Sequence, residues 1–323
     1  MDELLYLSRV DVEKLGISMN EVIRVVEQAF RDKAEGFAEA PPKPGVHPKK
    51  DAFIHAMPAY LPRMQAAGVK WVSGFPENPK HGLPYVSGLL VLNDVDTGFP
   101  VCVMDCTWVT AMRTGAATAV AAKHLANADS KVVGILGCGV QGRSNLEALK
   151  VVLKDLEEVR AYDVRAANLK RYAEEMEAKH GIRVVDVDSP RKAVEGCDVV
   201  VSAGPILKHP KPVIEAGWFK DGGFACALDF DSYWKPEAMH SMDKFCTDDE
   251  EQLAYYRTQG YFSDVPEVYA GLSEVVCGKK AGRESPKERT MAMNLGTAIN
   301  DIATARLIYS KAEEKQIGTK LFL

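Results

Sequence analysis

Residues 131–142 read KVVGILGCGVQG, an apolar run that leads into three spaced glycines, and the residues after them have helical spacing. A strand, a tight glycine turn and a helix in this order predict the unit that binds the diphosphate of a dinucleotide. Gly137 permits the sharp turn, Gly139 lets the backbone approach the diphosphate, and Gly142 lets the helix pack closely on the strand. The diphosphate is expected on the free N–H groups at the start of the helix.

An acidic residue stands where a ribose-binding carboxylate is expected. Asp163 ends a second apolar run, 158–163, about twenty residues after the last glycine. A carboxylate there favours NAD because it repels the 2′-phosphate of NADP, but Arg165 weakens this preference and leaves NADP open. The alternative is a glycine turn in an ordinary α/β fold. Further predicted cofactor contacts are Val140 and Gln141 in the turn, and Ser202 and Ala203 at the end of a later strand.

Strands and helices alternate after residue 131, which predicts an α/β fold with a Rossmann-type, doubly wound parallel sheet. The first ~105 residues differ, because a helix at 19–34 is followed by strands and turns that indicate a mainly antiparallel sheet. The chain is therefore expected to hold two domains. The first is residues 1–113, completed by a C-terminal helix within 297–323, and the dinucleotide-binding domain is 114–296. The parallel strands are predicted at 131–136, 158–163, 183–187, 198–203, 223–229 and 244–247.

Composition excludes several classes of protein. The 323 residues are 46% hydrophobic and 26% charged, as in globular domains, and a net charge of −5 gives no basic footprint for nucleic acid. No apolar run approaches the length of a membrane span, and the acidic N-terminus lacks the order of a signal peptide. The seven cysteines form no C-x-x-C and the histidines are scattered, so no metal site is expected. We expect a cytoplasmic protein that binds neither nucleic acid nor membrane.

Three charged residues stand out beyond the glycine turn. Lys70 lies in an apolar strand, where its charge is costly unless it meets an anion. Arg113 lies in a helix of small residues, and Asp231 follows a strand at the edge where α/β sheets build their sites. Each has a plainer interpretation: Lys70 on an edge strand with its ammonium in water, Arg113 as a structural ion-pair partner, and Asp231 as the cap of the next turn, with Asp229 as a competitor. Weaker candidates for substrate contact are Lys43, His55 and His81.

Several motifs together resemble the ornithine cyclodeaminase/mu-crystallin family. The resemblance covers nearly the whole chain, from about residue 40 to residue 318. The motifs are GVKWVSGFPENPKHGLP at 68–84, DVDTGFP at 94–100, AMRTGAATAVAAKHLA at 111–126, GCGVQG at 137–142, GRESP at 282–286 and GTAIND at 296–301.

The resemblance implies a homodimer formed through the sheet domain, and NAD(P)-dependent chemistry on an α-amino acid or its imine. Family members include ornithine and lysine cyclodeaminases, archaeal-type alanine dehydrogenases and ketimine reductases. By the same resemblance, Lys70 and Arg113 bind the substrate carboxylate, Thr114 lies beside the cofactor phosphates, and Asp231 is the catalytic aspartate. This assignment requires the Lys70 ammonium and the Arg113 guanidinium to lie close together.

Departures from the family pattern bear on the substrate. Lys43, expected with His55 in the substrate site, stands where many members have Arg, and His55 stands where bacterial cyclodeaminases have an acid. Tyr233 and Trp234 are bulkier than the residues of cyclodeaminases at this place. We therefore favour an oxidoreductase of the alanine dehydrogenase or imine reductase type that acts on a small amino acid. The alternative is an ammonia-eliminating lyase of the ornithine cyclodeaminase type that recycles NAD, and a more remote one is a non-catalytic NAD(P)H-binding protein.

Overall fold

The computed structural model describes residues 3–323, so the first two residues of the predicted first domain lie outside it. The chain divides into two units. Unit 1 comprises the residues up to Arg113 together with Thr297–Leu323, and unit 2 is Thr114–Gly296. Among the described residues, none of the helices combines the length and the apolar character needed to cross a membrane.

The elements are numbered along the chain. The strands are β1 (Glu3–Leu7), β2 (Gly45–Val46), β3 (Phe53–Leu61), β4 (Ala66–Gly74), β5 (Val86–Asn93), β6 (Pro100–Asp105), β7 (Val132–Leu136), β8 (Glu158–Tyr162), β9 (Arg183–Asp186), β10 (Val199–Ser202), β11 (Phe224–Ala227), β12 (Lys244–Thr247), β13 (Ala270–Gly271), β14 (Thr290–Met293) and β15 (Thr319–Phe322). The helices are α1 (Arg9–Lys14), α2 (Met19–Ala34), α3 (Cys106–Leu125), α4 (Val140–Val152), α5 (Ala166–His180), α6 (Pro190–Val194), α7 (Pro236–His240), α8 (Glu250–Thr258), α9 (Leu272–Val276) and α10 (Ala298–Lys315).

Unit 1 is built on a seven-stranded sheet in the order β15-β1-β6-β5-β4-β3-β2. Its strand pairs are antiparallel except β1 with β6, so the predicted mainly antiparallel sheet is confirmed. Side chains alternate between the two faces of each strand. One face is buried, with Lys70 and Val72 of β4 beside Leu90 and Leu92 of β5, and helix α10 contacts β3, β4, β5 and α2. Lys70 therefore lies on the apolar, buried face.

The opposite face of this sheet carries an apolar surface, which we call the outer face. Cross-strand register places Trp71 beside Leu89, and these side chains are 52% and 48% exposed. A second row runs in register over five strands and consists of Pro58, Val69, Val91, Val103 and Tyr6. In this second row Tyr6 is exposed and the other four residues are partly buried. Together with Trp71 and Leu89 they form an apolar patch of the kind that marks a site where another molecule docks.

Unit 2 contains an eight-stranded sheet in the order β13-β12-β14-β11-β10-β7-β8-β9, and its paired strands are parallel. The predicted parallel sheet of Rossmann type is confirmed. The strand order reverses beside β7, where β10 lies on one side and β8 on the other, and open α/β sheets bind ligands at such a switch point. The sequence analysis did not predict β13 or β14 in this sheet, nor β15 in unit 1.

Candidate functional site

The glycine turn joins β7 to α4 in unit 2, and its three glycines answer different constraints. Gly137 has a φ of +103°, and a Cβ there would lie 2.5 Å from the carbonyl oxygen of Ala203. A Cβ on Gly142 would lie 2.4 Å from the carbonyl oxygen of Gly137, so helix and turn are in direct contact. A Cβ on Gly139 would meet nothing within 4 Å, and no side chain caps α4 in the described structure. The helix start is therefore open to an anionic group.

Asp163 follows β8 and rests against this turn. Its Oδ2 accepts a hydrogen bond of 2.9 Å from the backbone N–H of Cys138, and its Oδ1 accepts one of 2.8 Å from the N–H of Arg165. The exposed Arg165 side chain comes within 4.0 Å of the same carboxylate. The acid predicted to bind ribose thus lies beside the turn predicted to bind the diphosphate, and the Arg165 side chain lies close to that acid.

Arg143, which the sequence analysis did not single out, fixes the turn from the other side. Its Nη1 donates hydrogen bonds to the carbonyl oxygens of Cys138 and Gly139, and its Nε donates to Glu175 at 2.6 Å. The guanidinium also lies 5.4 Å from the ring centre of Tyr172. Its place directly after the third glycine was a usable signal, because an arginine at a helix start has turn carbonyls within reach.

A hydrogen-bonded chain connects the ends of β10 and β11. Ser202 donates to Oδ1 of Asp229 at 2.7 Å, Gly204 donates its backbone N–H to Oδ2 at 2.9 Å, and Trp234 donates its indole N–H to Ser202 at 3.0 Å. Burial raises the pKa of the Asp229 carboxyl to about 7, against the effect of these donors. The Ser202 hydroxyl, predicted to contact the cofactor, is used inside the protein, while Ala203 packs its carbonyl against Gly137.

Asp231 is held by an unusual stretch of backbone. Phe230 before it has a φ of +58°, and Phe262, whose N–H donates to Asp231 Oδ2 at 3.0 Å, has a φ of +54°. Positive φ is rare for such bulky residues, and such strain clusters at functional sites. Oδ1 of Asp231 is buried and has no hydrogen-bond partner among the described residues, and burial raises the pKa of the carboxyl.

Asp231 also lies on the wall of a cavity of 370 Å³ in unit 2. The interpretation of Asp231 as the cap of the following turn does not hold, because its hydrogen bond goes to a residue 31 positions away. Asp229 has both oxygens engaged, whereas Asp231 retains one, so Asp231 is the better placed of the two for proton transfer. The cavity is lined among others by Lys208, His209, Trp234, Ser263 and Asp264.

In unit 1 the structure brings Lys70 and Arg113 onto one carboxylate. Oδ1 of Asp301 accepts from Lys70 Nζ at 2.6 Å and from Arg113 Nε at 2.8 Å, and all three residues are buried. The required closeness of the two cations is therefore present. The edge-strand interpretation of Lys70 is wrong, because β4 lies between β3 and β5 and the ammonium is fully buried. Arg113 does form an ion pair, as its plainer interpretation expected.

A role for Asp301 was not predicted from the sequence, although this residue ends the GTAIND motif at 296–301. The charge of Asp301 could have indicated its role. A buried lysine requires an anion, and Asp301 is the acid in the apolar first turns of α10. Oδ2 of Asp301 has no hydrogen-bond partner in the described part of the chain. No hydrogen bond of the Arg113 Nη1 or Nη2 atoms occurs among the described residues either. These nitrogens form the edge of a guanidinium that binds carboxylates in bidentate fashion.

The surroundings of this ion cluster are electropositive. Burial, reinforced by Arg113, lowers the pKa of Lys70 to about 8, although Asp301 opposes the change. Burial followed by the charges of Lys43, His47 and Lys70 lowers the pKa of His55 to about 2, so its imidazole is neutral at physiological pH.

The remaining predicted residues are placed as follows. Lys43 and His55 are buried in unit 1, with His55 stacked on Phe53, whereas His81 is exposed. Thr114 follows Arg113 directly on α3 and is buried. The contacts of these residues with substrate or cofactor stay predictions.

Comparison with known proteins gives extensive matches. A family model described as "Ornithine cyclodeaminase/mu-crystallin family" matches residues 3–316. The alanine dehydrogenase of Archaeoglobus fulgidus is 40% identical over 99% of this chain and 98% of its own. A structure of Thermococcus litoralis Δ1-pyrroline-2-carboxylate reductase with NADH and L-proline has a TM-score of 0.90 and 39% identity, and covers 98% of this chain and 99% of its own. An archaeal alanine dehydrogenase dimer with bound NAD has a TM-score of 0.87 and 39% identity over 99% of each chain.

Proposed function

The chain belongs to the ornithine cyclodeaminase/mu-crystallin family, and on this basis we propose that it interconverts a small α-amino acid and its imino or keto acid with NAD. The enzyme is an NAD(P)-dependent oxidoreductase of amino acids or imines, as its alanine dehydrogenase and reductase relatives at 39–40% identity are. We propose that its substrate is either the alanine/pyruvate pair or a cyclic imine with the corresponding amino acid.

The pairing of Lys70 with Arg113 carries this proposal. Two buried cations that share one acidic oxygen retain a surplus positive charge, and Arg113 keeps a bidentate edge for a ligand. An α-carboxylate fits this arrangement in charge and shape. Clamping of the carboxylate fixes the position of Cα, and orientation of this kind supplies up to roughly 7–11 kcal/mol of a barrier.

Asp231 is the proposed proton-transfer group. Its free Oδ1 can accept a hydrogen bond from the substrate nitrogen, and its raised pKa brings the carboxyl closer to the range in which it gives and takes protons near neutral pH. It would take the proton that leaves the amino group on oxidation and return it in the reductive direction. The second carboxyl, Asp229, would keep the loop at Gly204 in place.

The residues of unit 2 fit the dinucleotide. The open position at Gly139 and the uncapped start of α4 would hold the diphosphate, and Asp163 would accept hydrogen bonds from the ribose hydroxyls. When bound, NAD supplies the hydride acceptor for Cα, and NADH the hydride donor. Asp163 supports NAD as the preferred form, with Arg165 as the group that would accommodate NADP.

A homodimer and a cytoplasmic location complete the proposal. The outer face of unit 1 presents Trp71 and Leu89 in register, and an apolar surface of this extent fits a second copy of the chain. The archaeal alanine dehydrogenase of 39% identity is a dimer with bound NAD.

The test is an assay of the purified chain with NADH or NADPH, ammonia and pyruvate, and with Δ1-pyrroline-2-carboxylate, alongside the reverse reactions of L-alanine and L-proline with NAD. We expect net oxidation of NADH with at least one of these substrates, and its loss in Arg113→Ala. Proline formed from ornithine with only catalytic NAD, and no net redox change, would establish the lyase instead. Turnover that survives unchanged in Arg113→Ala would contradict the clamp.

A further inference from the structure

Asp301 is the anion on which the two substrate-binding cations converge. The three residues come from separate elements: Lys70 from β4, Arg113 from α3 and Asp301 from α10. One oxygen, Oδ1, accepts both hydrogen bonds, at 2.6 and 2.8 Å. Without this oxygen, two buried positive groups would face each other with no counter-charge between them, and their repulsion would be strong at low dielectric.

The way Asp301 binds Arg113 also determines what the guanidinium offers to a ligand. The hydrogen bond uses Nε, so the edge formed by Nη1 and Nη2 stays available. Two parallel N–H groups on this edge match the two oxygens of a carboxylate. Lys70 likewise spends one of its three N–H groups on Asp301 and keeps the others for a ligand.

We propose that Asp301 is a positioning residue, which places the Lys70 ammonium and the Arg113 guanidinium to receive the α-carboxylate of the substrate. This inference rests on the proposed function and deepens it, because it assigns a task to a residue that touches neither substrate nor cofactor in the proposed reaction. Asp301 acts through the two cations, so its loss is expected to affect substrate binding and leave cofactor binding intact.

The pH dependence of substrate binding gives the sharper readout. Lys70 is surrounded by His55 from β3, by Cys106 and Arg113 from α3, and by Asp301 from α10. His55 is uncharged above a pH of about 2, and burial raises the pKa of the Cys106 thiol to about 11, so neither changes charge near neutral pH. Burial lowers the pKa of Lys70 to about 8, so its charge is lost as the pH rises through this value and carboxylate binding is expected to weaken. Removal of the Asp301 charge must move this loss to lower pH, by about one unit or more.

The experiment is calorimetric titration of the NADH-saturated full chain with acetate and with L-proline, from about pH 6.5 to 9.5, for the wild type and Asp301→Asn. The variant keeps the shape of the side chain but not its charge. We expect its Kd for both probes to be at least about tenfold higher at pH 8, and the alkaline loss of binding to begin at least about one pH unit lower. The Kd for NADH is expected to change less than about twofold. Equal Kd values and equal pH midpoints in the two proteins would overturn the proposal.

Asp32→Asn is the matched control. Asp32 is also a fully buried acid of unit 1, and its Oδ2 also has no hydrogen-bond partner among the described residues. Its Oδ1, however, accepts hydrogen bonds from Gln28 on α2 and from Arg63, and not from Lys70 or Arg113. This variant tests the effect of a buried amide in place of a buried carboxylate. It is expected to bind the carboxylate probes as the wild type does; the same pH shift in both variants would show a general effect of destabilisation and contradict a role specific to Asp301.

A second pair of variants covers the case in which Asp301→Asn does not fold, since an unpaired buried charge is strongly destabilising. Lys70→Met removes one cation, and Lys70→Met with Asp301→Asn then leaves Arg113 as the single charge of the cluster. We expect the double variant to bind acetate at least about fivefold more weakly than Lys70→Met, because Arg113 loses the anchor at Nε. Equal affinities would refute the positioning role. Binding is measured without turnover, so these results stand even if no oxidoreductase substrate is found.

Discussion

Asp229 and Asp231 lie two residues apart and have opposite surroundings. Asp229 is fully buried, with donors on both oxygens, whereas Asp231 has one oxygen held by Phe262 and one without a partner among the described residues. Environment thus distinguishes the two carboxyl groups, and under the proposed function Asp229 would be structural and Asp231 reactive, as happens in sites where neighbouring acids have different tasks. Two variants test this division.

Asp231→Asn is expected to lower kcat by about 10²–10⁴-fold, because an amide cannot exchange a proton with the substrate nitrogen. The KM for the amino acid should change far less than kcat. Steady-state kinetics measures both, with Asp264→Asn, on the wall of the same cavity, as the control expected to retain wild-type kcat. A wild-type kcat in Asp231→Asn would remove this residue from the mechanism.

Asp229→Asn is expected to flatten the pH dependence of stability. The folded pKa of about 7 lies above the ~3.9 of an unfolded chain, so between these values the folded protein holds a proton that the unfolded chain has released. The Asp229 contribution to stability is therefore greatest at low pH and declines as the pH rises from about 4 to 7. Urea unfolding of wild type and variant at several pH values measures the difference, and parallel profiles would show that Asp229 does not titrate in this range.

At the scale of elements, the β7–turn–α4 unit shows which contacts require glycine. Gly137 and Gly142 lie against backbone oxygens, whereas Gly139 faces open space. Two glycines are therefore required by the fold, whereas Gly139 is the one proposed to leave room for the ligand. Substitutions at different glycines of this one turn can therefore distinguish a loss of stability from a loss of cofactor affinity.

Gly139→Ala is expected to fold normally and to bind NADH at least about tenfold more weakly, because the new methyl group occupies the approach of the diphosphate. Gly137→Ala is expected to lose stability, since its positive φ alone costs about 1–2 kcal/mol in any L-residue. Thermal unfolding and NADH fluorescence titration distinguish these outcomes. Gly217→Ala, another open position in unit 2, is the control, and NADH binding by Gly139→Ala at wild-type affinity would argue against the diphosphate site.

Local patterns predicted most elements but not their long-range partners. The glycine turn, α2 and the strands β3 to β6 have clear periodicity or turn residues, and Lys70 stands out by charge among apolar neighbours. Asp301 lies 231 residues from Lys70 along the chain, and no local pattern connects them. Strand β15 is exposed at all four of its residues, so it lacks the apolar alternation of a half-buried strand. Individual charged residues could thus be identified from the sequence, whereas the pairing of distant charges could not, because it depends on the tertiary fold.

At the scale of the whole molecule, the outer face of unit 1 is the feature that most needs a partner. One apolar row crosses five strands of this sheet and a second crosses two, and monomeric proteins rarely expose large contiguous apolar patches. Self-association through this face would also explain why β4 carries apolar residues on both faces of the sheet.

Trp71→Glu is expected to convert a dimer into monomers, because a charge in the middle of the apolar face opposes its burial. Light scattering coupled to size exclusion measures the mass, with about 71 kDa expected for the wild type, twice the 35.4 kDa of the chain. Val10→Glu, an exposed apolar position on α1, is the control expected to stay dimeric. A wild-type mass that persists in Trp71→Glu would place the interface elsewhere.

The cluster of Lys70, Arg113 and Asp301 itself contains two positive groups and one negative group. Buried charges that do not cancel one another lower the stability of the folded protein. A small monoanion that binds beside these three groups brings their net charge to zero, so the proposed substrate is both the reactant and the fourth member of the ion cluster. Catalysis and thermal protection should therefore rank the same series of carboxylates in the same order.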